Sequence, residues 1–193
     1  MLFNVPAYLN NDISVKEIKD YNKYISKGIL LDEEILYLLI VGDFVTKKYN
    51  KKSYLSMNKV KFSLDDFKYI VQFLRGFKTK YFITPHIFTK FIHLLWDNIG
   101  DTKDYEEIIE IFNGTSEFIQ EKQLEKKIFL DEENFKKKKW DIVTSSLILT
   151  SKNYEPNVIL TRRWKTSDFC NKCDCLVIHY DNIKSAYITN YFN

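Results

Sequence analysis

Short apolar runs alternate along this chain with longer segments in which apolar residues return every three or four positions. Ile29-Leu30-Leu31 is an unbroken apolar run closed by Asp32, and it predicts a buried strand over 28–32. Residues 33–48 follow at once and are apolar on most sides, which predicts a largely buried helix. The polar, Lys/Asn/Ser-rich stretch 49–61 reads as a loop. Ser63 then opens a helix, with Asp65 and Asp66 in its first turn and Phe67, Ile70, Val71 and Leu74 on its apolar face; Gly76 is its stop. Residues 80–84 predict a second strand, and Pro85 suits the first turn of a helix reaching about Asp97. A further helix is expected over 104–112, a short strand at Ile128-Phe129-Leu130, and a helix over 141–152. Third and fourth strands are expected at 157–161 and 176–180. Strands that alternate with helices imply an α/β domain over 27–193, a parallel sheet with helices on both faces. Residues 1–26 read as a short helical extension, with Ser14 as N-cap, Glu17 three residues on, and Ile13, Ile18 and Tyr21 at near-helical spacing.

Composition narrows the class. Hydrophobic residues make up 45% of the 193 positions and charged residues 28%, which excludes a disordered chain. Five glycines and three prolines beside 15 phenylalanines and 13 tyrosines favour long helices and a filled core over a loop-rich domain. A net charge of +3 is too small to argue nucleic-acid binding by itself. No apolar run reaches ~18 residues, roughly the minimum for a membrane span, so no membrane partner is expected. Asn4, Asn10, Asn11 and Asp12 stand where a signal peptide needs an apolar core. The three cysteines are odd in number and confined to 170–175, which argues against a disulfide framework and for a reducing cytoplasm.

Three constellations carry candidate chemistry. Asp32 closes a buried strand, where open α/β sheets place their ligands. Cys170, Cys173, Cys175 and His179 offer three thiols and an imidazole within ten residues, with one Cys-x2-Cys spacing suited to zinc. A second pair at zinc spacing is missing, and buried structural thiols are the alternative. His179 is expected on a strand, on the same face as Cys175. The basic run Lys136 to Lys139, flanked by Phe135 and Trp140, has the composition of a single-strand binder. Its alternative is a solvated face, as Asp131, Glu132 and Glu133 upstream suggest. His86 and His93 stand two helical turns apart, too far to share a metal.

The order of segments over 27–183 resembles the PIN domain, a family of metal-dependent nucleases that mostly cut RNA. Ile29-Leu30-Leu31-Asp32 with Leu39-Ile40-Val41-Gly42 resembles its opening strand and first helix. Phe82-Ile83-Thr84-Pro85-His86-Ile87-Phe88-Thr89-Lys90 is similar to its strand and Thr-Pro-initiated helix. Asp141 to Leu149 resembles its late helix, and Val158-Ile159-Leu160-Thr161-Arg162 the strand that ends in Thr and an acid. The resemblance implies carboxylates from separate elements that hold Mg²⁺ or Mn²⁺ at the sheet edge. It also implies a bacterial toxin–antitoxin or RNA-processing setting, with RNA or a protein as partner.

This chain departs from that pattern. Asp32 matches the first acid, but the later acid positions read Lys90, Ser145 and Arg162. Four negative charges thereby become a net of one positive, and cations oppose a divalent ion. The expectation is a degenerate ribonuclease fold that needs no cofactor and acts by binding RNA, a nucleotide or a protein. Lys90 and Arg162, joined by Arg163 and Lys165, would then hold a phosphate. An internal ion pair of Asp32 with Arg162 or Lys90 is the preferred alternative to phosphate binding. An active centre rearranged around Asp32, Glu34 and Asp141 is another reading; Glu34 as an exposed first-turn acid and Asp141 as an N-cap are the plainer ones. A structural or regulatory protein-binding subunit is the last.

Overall fold

The structure is a computed structural model that describes residues 27–57, 60–75, 80–115, 117–154 and 158–191. The expected extension over 1–26, the stop at Gly76 and the strand start at Asn157 lie outside the described residues.

The sheet grows outward from its most apolar strand. β1 (Ile29–Leu31) is buried at every residue, because it pairs on both sides and is covered on both faces. It opens at Gly28, whose φ of 128° suits glycine, and whose added Cβ would stand 2.2 Å from the Phe82 ring. α1 (Glu33–Lys47) follows without a loop and buries most of its surface, as its all-round apolarity predicts. The segment expected to be a loop is instead a 3-10 helix (Tyr49–Leu55) and a two-stranded antiparallel ribbon, β2 (Ser56–Met57) and β3 (Val60–Lys61). α2 (Leu64–Arg75) packs on α1 at Gly42, where any side chain would collide with Phe67. β4 (Tyr81–Ile83), α3 (Pro85–Ile99) and α4 (Lys103–Gly114) follow; Thr84 and Thr102 cap the two helices.

β5 (Ile119–Glu121) is a strand the hydrophobic pattern did not reveal. The expected strand at 128–130 is instead helical, within α5 (Lys126–Asp131). Its Phe129 is buried while Leu130 is exposed, so the apolar triplet is the edge of a helix face. α6 (Glu133–Lys136) is one turn, and α7 (Ile142–Asn153) is capped by Asp141 and almost wholly buried. β6 (Val158–Thr161), α8 (Trp164–Lys172), β7 (Val177–His179) and α9 (Tyr180–Tyr191) complete the described chain.

All five strands of the main sheet are parallel, in the order β5-β4-β1-β6-β7. Helices flank this sheet, so the protein is α/β. The chain builds leftward from β1 through β4 to β5, then crosses back and builds rightward through β6 to β7. Right-handed crossovers put the helices of these two directions on opposite faces. The direction therefore reverses between β1 and β6, and the carboxyl ends of strands at such a reversal are where open α/β sheets bind their ligands. No helix among the described residues is long and apolar enough to cross a membrane.

Candidate functional site

Asp32 stands at that reversal. Leu31 is in register with Leu160, so Asp32 falls beside the end of β6, and its N–H donates to the Leu160 carbonyl at 3.1 Å. The side chain then does two things at once. Its Oδ1 accepts the Ile35 N–H at 2.8 Å and caps α1. Its Oδ2 accepts the Arg162 N–H at 3.0 Å and the Thr161 hydroxyl. The Thr161 oxygen in turn accepts the Arg163 N–H at 3.0 Å. Asp32 is 0% exposed and joins the start of α1 to the end of β6. Burial pushes its carboxyl above the usual aspartate range, against the opposing pull of these hydrogen bonds and of Arg163.

Charged side chains crowd round this joint. Arg163 reaches Glu33 Oε1 at 3.4 Å with one guanidinium nitrogen and contacts Asp141 Oδ2 with another. Arg162 reaches Glu34 Oε2 at 3.5 Å and lies over the Phe62 ring, 5.4 Å from its centroid. Burial first, then the charge of Asp32, pushes the Glu33 carboxyl up, and its Oε2 is buried with no hydrogen-bond partner among the described residues. Burial and Asp32 raise Glu34 as well. Burial also acts on Asp141, but its bonds to Arg163 and to the Thr144 N–H at 2.7 Å hold it below the usual range. Beneath the charges lies a layer of buried hydroxyls. Thr84 donates to Ser146 at 3.0 Å, and Thr144 and Thr166 share a hydrogen bond of 3.0 Å between α7 and α8.

The geometry corrects several expectations. Asp32 forms no ion pair with Arg162 or Lys90 among the described residues; it takes the backbone N–H of Arg162 instead. Arg163 reaches two of the carboxylates, Glu33 and Asp141, and Arg162 reaches Glu34, so the successive side chains after Thr161 go to different acids. Lys90 is exposed on α3 with no ion pair among the described residues. Ser145 is buried and donates back to the Asp141 carbonyl at 2.8 Å, within its own helix. Lys165 is exposed, 5.8 Å above the Phe169 ring. Glu34 is half-buried rather than exposed. Asp141 is an N-cap, and its other oxygen faces Arg163. Asp32, Glu34 and Asp141 do not converge as a group able to hold a metal.

The same holds for the cysteine cluster, so a zinc site at Cys170, Cys173, Cys175 and His179 finds no support among the described residues. Cys170 and Cys175 are buried, and burial raises both thiols. Cys175 lies before β7 rather than on it, and both nitrogens of His179 are engaged elsewhere. Its Nδ1 accepts the Asp181 N–H at 3.2 Å, which leaves Nε2 as the protonated nitrogen, donating to the Arg162 carbonyl at 2.7 Å. Burial lowers its pKa, in keeping with a neutral ring. The basic run also loses its aromatic partners: Trp140 is buried, and Phe135 packs edge-on against Phe129.

Three residues at this edge escaped the sequence reading: Glu33, Thr161 as a donor to Asp32, and Trp164. Only Trp164 left a signal, an aromatic set between Arg163 and Lys165. No family model matches the chain, and comparison with curated proteins finds no match either.

Proposed function

We propose that this chain is a PIN-like domain whose nuclease centre has become an internal polar joint, and that it acts by binding RNA without cutting it. One observation carries the reading: both oxygens of Asp32 are occupied by protein donors, and a guanidinium sits between Glu33 and Asp141. Divalent ions of the Mg²⁺ class need several free anionic oxygens in near-octahedral array. Here a metal would have to strip the cap from α1, free the end of β6 and evict Arg163. The parallel sheet with Asp32 at its direction reversal supports the PIN-like reading.

The test is a single-stranded RNA incubated with Mn²⁺ or Mg²⁺, with wild type beside Asp32→Ala purified identically, and RNA affinity measured separately in EDTA. The expected result is equal, background cleavage by both proteins and salt-sensitive binding by wild type. Metal-dependent cleavage by wild type alone would overturn the reading in favour of an active ribonuclease built on Asp32, Glu34 and Asp141. Absence of both cleavage and binding would leave a regulatory subunit that contacts only protein.

A further inference from the structure

Trp164 is the first residue of α8, and 58% of it is exposed. Its indole is not a loose side chain. It stacks on the His179 imidazole with ring centroids 3.6 Å apart and planes 19° from parallel. His179 is 2% exposed and pinned at both nitrogens, by the Arg162 carbonyl and the Asp181 N–H. β7 carries His179 beside Thr161, in register at the carboxyl edge of the sheet. One face of the indole therefore rests on a rigid ring, and the exposed remainder looks outward at the strand ends where open α/β sheets bind ligands.

We infer that the Trp164–His179 stack is a platform for an unpaired RNA base. This rests on the RNA-binding reading above and names the surface that does the binding. A large exposed indole is unfavourable in water unless something covers it, and a fixed ring loses little entropy when a base stacks on it. Base stacking on aromatic residues tolerates any sequence, since every base has a flat π-face. One exposed ammonium beside the platform favours nucleic acid over an apolar protein partner: Lys165 has no ion pair among the described residues, whereas Arg162 and Arg163 are held by Glu34, Glu33 and Asp141. Asp168 on α8 and Asp181 at the start of α9 oppose phosphate, so stacking has to add to what charge supplies. Among the described residues, the other exposed large aromatic side chains, Trp96, Phe118 and Tyr154, lie on α3, before β5 and after α7.

The experiment is fluorescence anisotropy of a labelled oligouridine RNA with the full chain in EDTA, so that cleavage does not interfere. Wild type, Trp164→Ala and Trp164→Phe are compared, with thermal unfolding midpoints to show that all three are folded. Trp164→Ala should weaken binding about tenfold, while Trp164→Phe should stay within about threefold of wild type. RNA should also quench the tryptophan emission of wild type more than that of Trp164→Phe. If wild type binds and Trp164→Ala binds equally well, the platform is wrong and the RNA-binding reading stands. If Phe and Ala lose affinity alike, stacking is not the contact. If wild type binds no RNA, both inferences fall, and Trp164 is a contact for protein.

Discussion

Asp32 and Asp66 are both buried aspartates near the start of a helix, but their surroundings push their carboxyls in opposite directions. Asp66 sits in the first turn of α2 and is bound by Ser63 through a reciprocal pair of backbone bonds. Tyr180 donates to it at 2.6 Å and Lys184 lies at 2.8 Å, both from α9. Burial pushes its carboxyl up, but Lys184, Tyr180 and Ser63 together hold it below the usual aspartate range. Asp32 has as many donors in kind, but no cation in direct contact among the described residues, and burial wins. An ammonium at hydrogen-bond distance and a shallower burial together decide the difference in favour of the Asp66 carboxylate. The α2–α9 joint holds a stable ion, as a structural link should. The edge of β1 and β6 holds Asp32, Glu33 and Glu34 close together, each resisting ionisation. Strained carboxylates of that kind gather at functional sites, and here Arg163 and backbone donors keep them in place.

The contrast can be broken most strongly at its stable end. Asp66→Ala should cost about 3 kcal/mol in urea unfolding, since it leaves the buried Tyr180 hydroxyl without its partner and uncaps α2. A cost below about 1 kcal/mol would mean that the joint is not structural. Asp32→Asn should cost less, about 1–2 kcal/mol. The amide can still accept from Ile35, and it removes a charge the site disfavours, but it opposes the Arg162 N–H. If Asp32→Asn proves the costlier of the two, the comparison is inverted. Tyr180→Phe should lose about 1 kcal/mol, the ordinary worth of one hydrogen bond.

Acidity sharpens the same comparison. Asp66 and Asp141 lie below the ordinary aspartate value of 3.8, so each adds stability above it that is lost as pH falls. Glu33 lies above the ordinary glutamate value of 4.5, so its contribution is present at low pH and is lost as pH rises from there. Glu33→Gln should therefore flatten the decline in stability between about pH 5 and about pH 8, measured by urea midpoints. An unchanged slope would show that Glu33 ionises without cost.

Where the sequence was legible, one period dominated. β1, α1 and the helix begun by Pro85 could be read because a buried strand is a continuous apolar run and a capped helix carries its signals locally. β5 was not legible: Ile119-Gln120-Glu121 is a half-exposed edge strand that exists because β4 offers it a partner. Ile128-Phe129-Leu130 shows the converse, since three apolar residues suit a strand or the side of a helix equally well. Asp32 was found because its position follows from the strand before it. Arg163 and Trp164 were not resolved as the cation of the centre and its neighbouring platform, because a one-residue step after β6 decides which side chain faces inward.

By itself, then, the sequence determined the alternation of strands and helices, the buried central strand and the acid at its end, because these depend on local periodicity and capping. Only the tertiary structure decided the strand order, the reversal between β1 and β6, and the union of Asp32 with Thr161 and Arg162, partners about 130 residues away. It also decided which carboxylates stay charged, since that depends on which donors and cations the fold brings within a few ångströms of each buried oxygen.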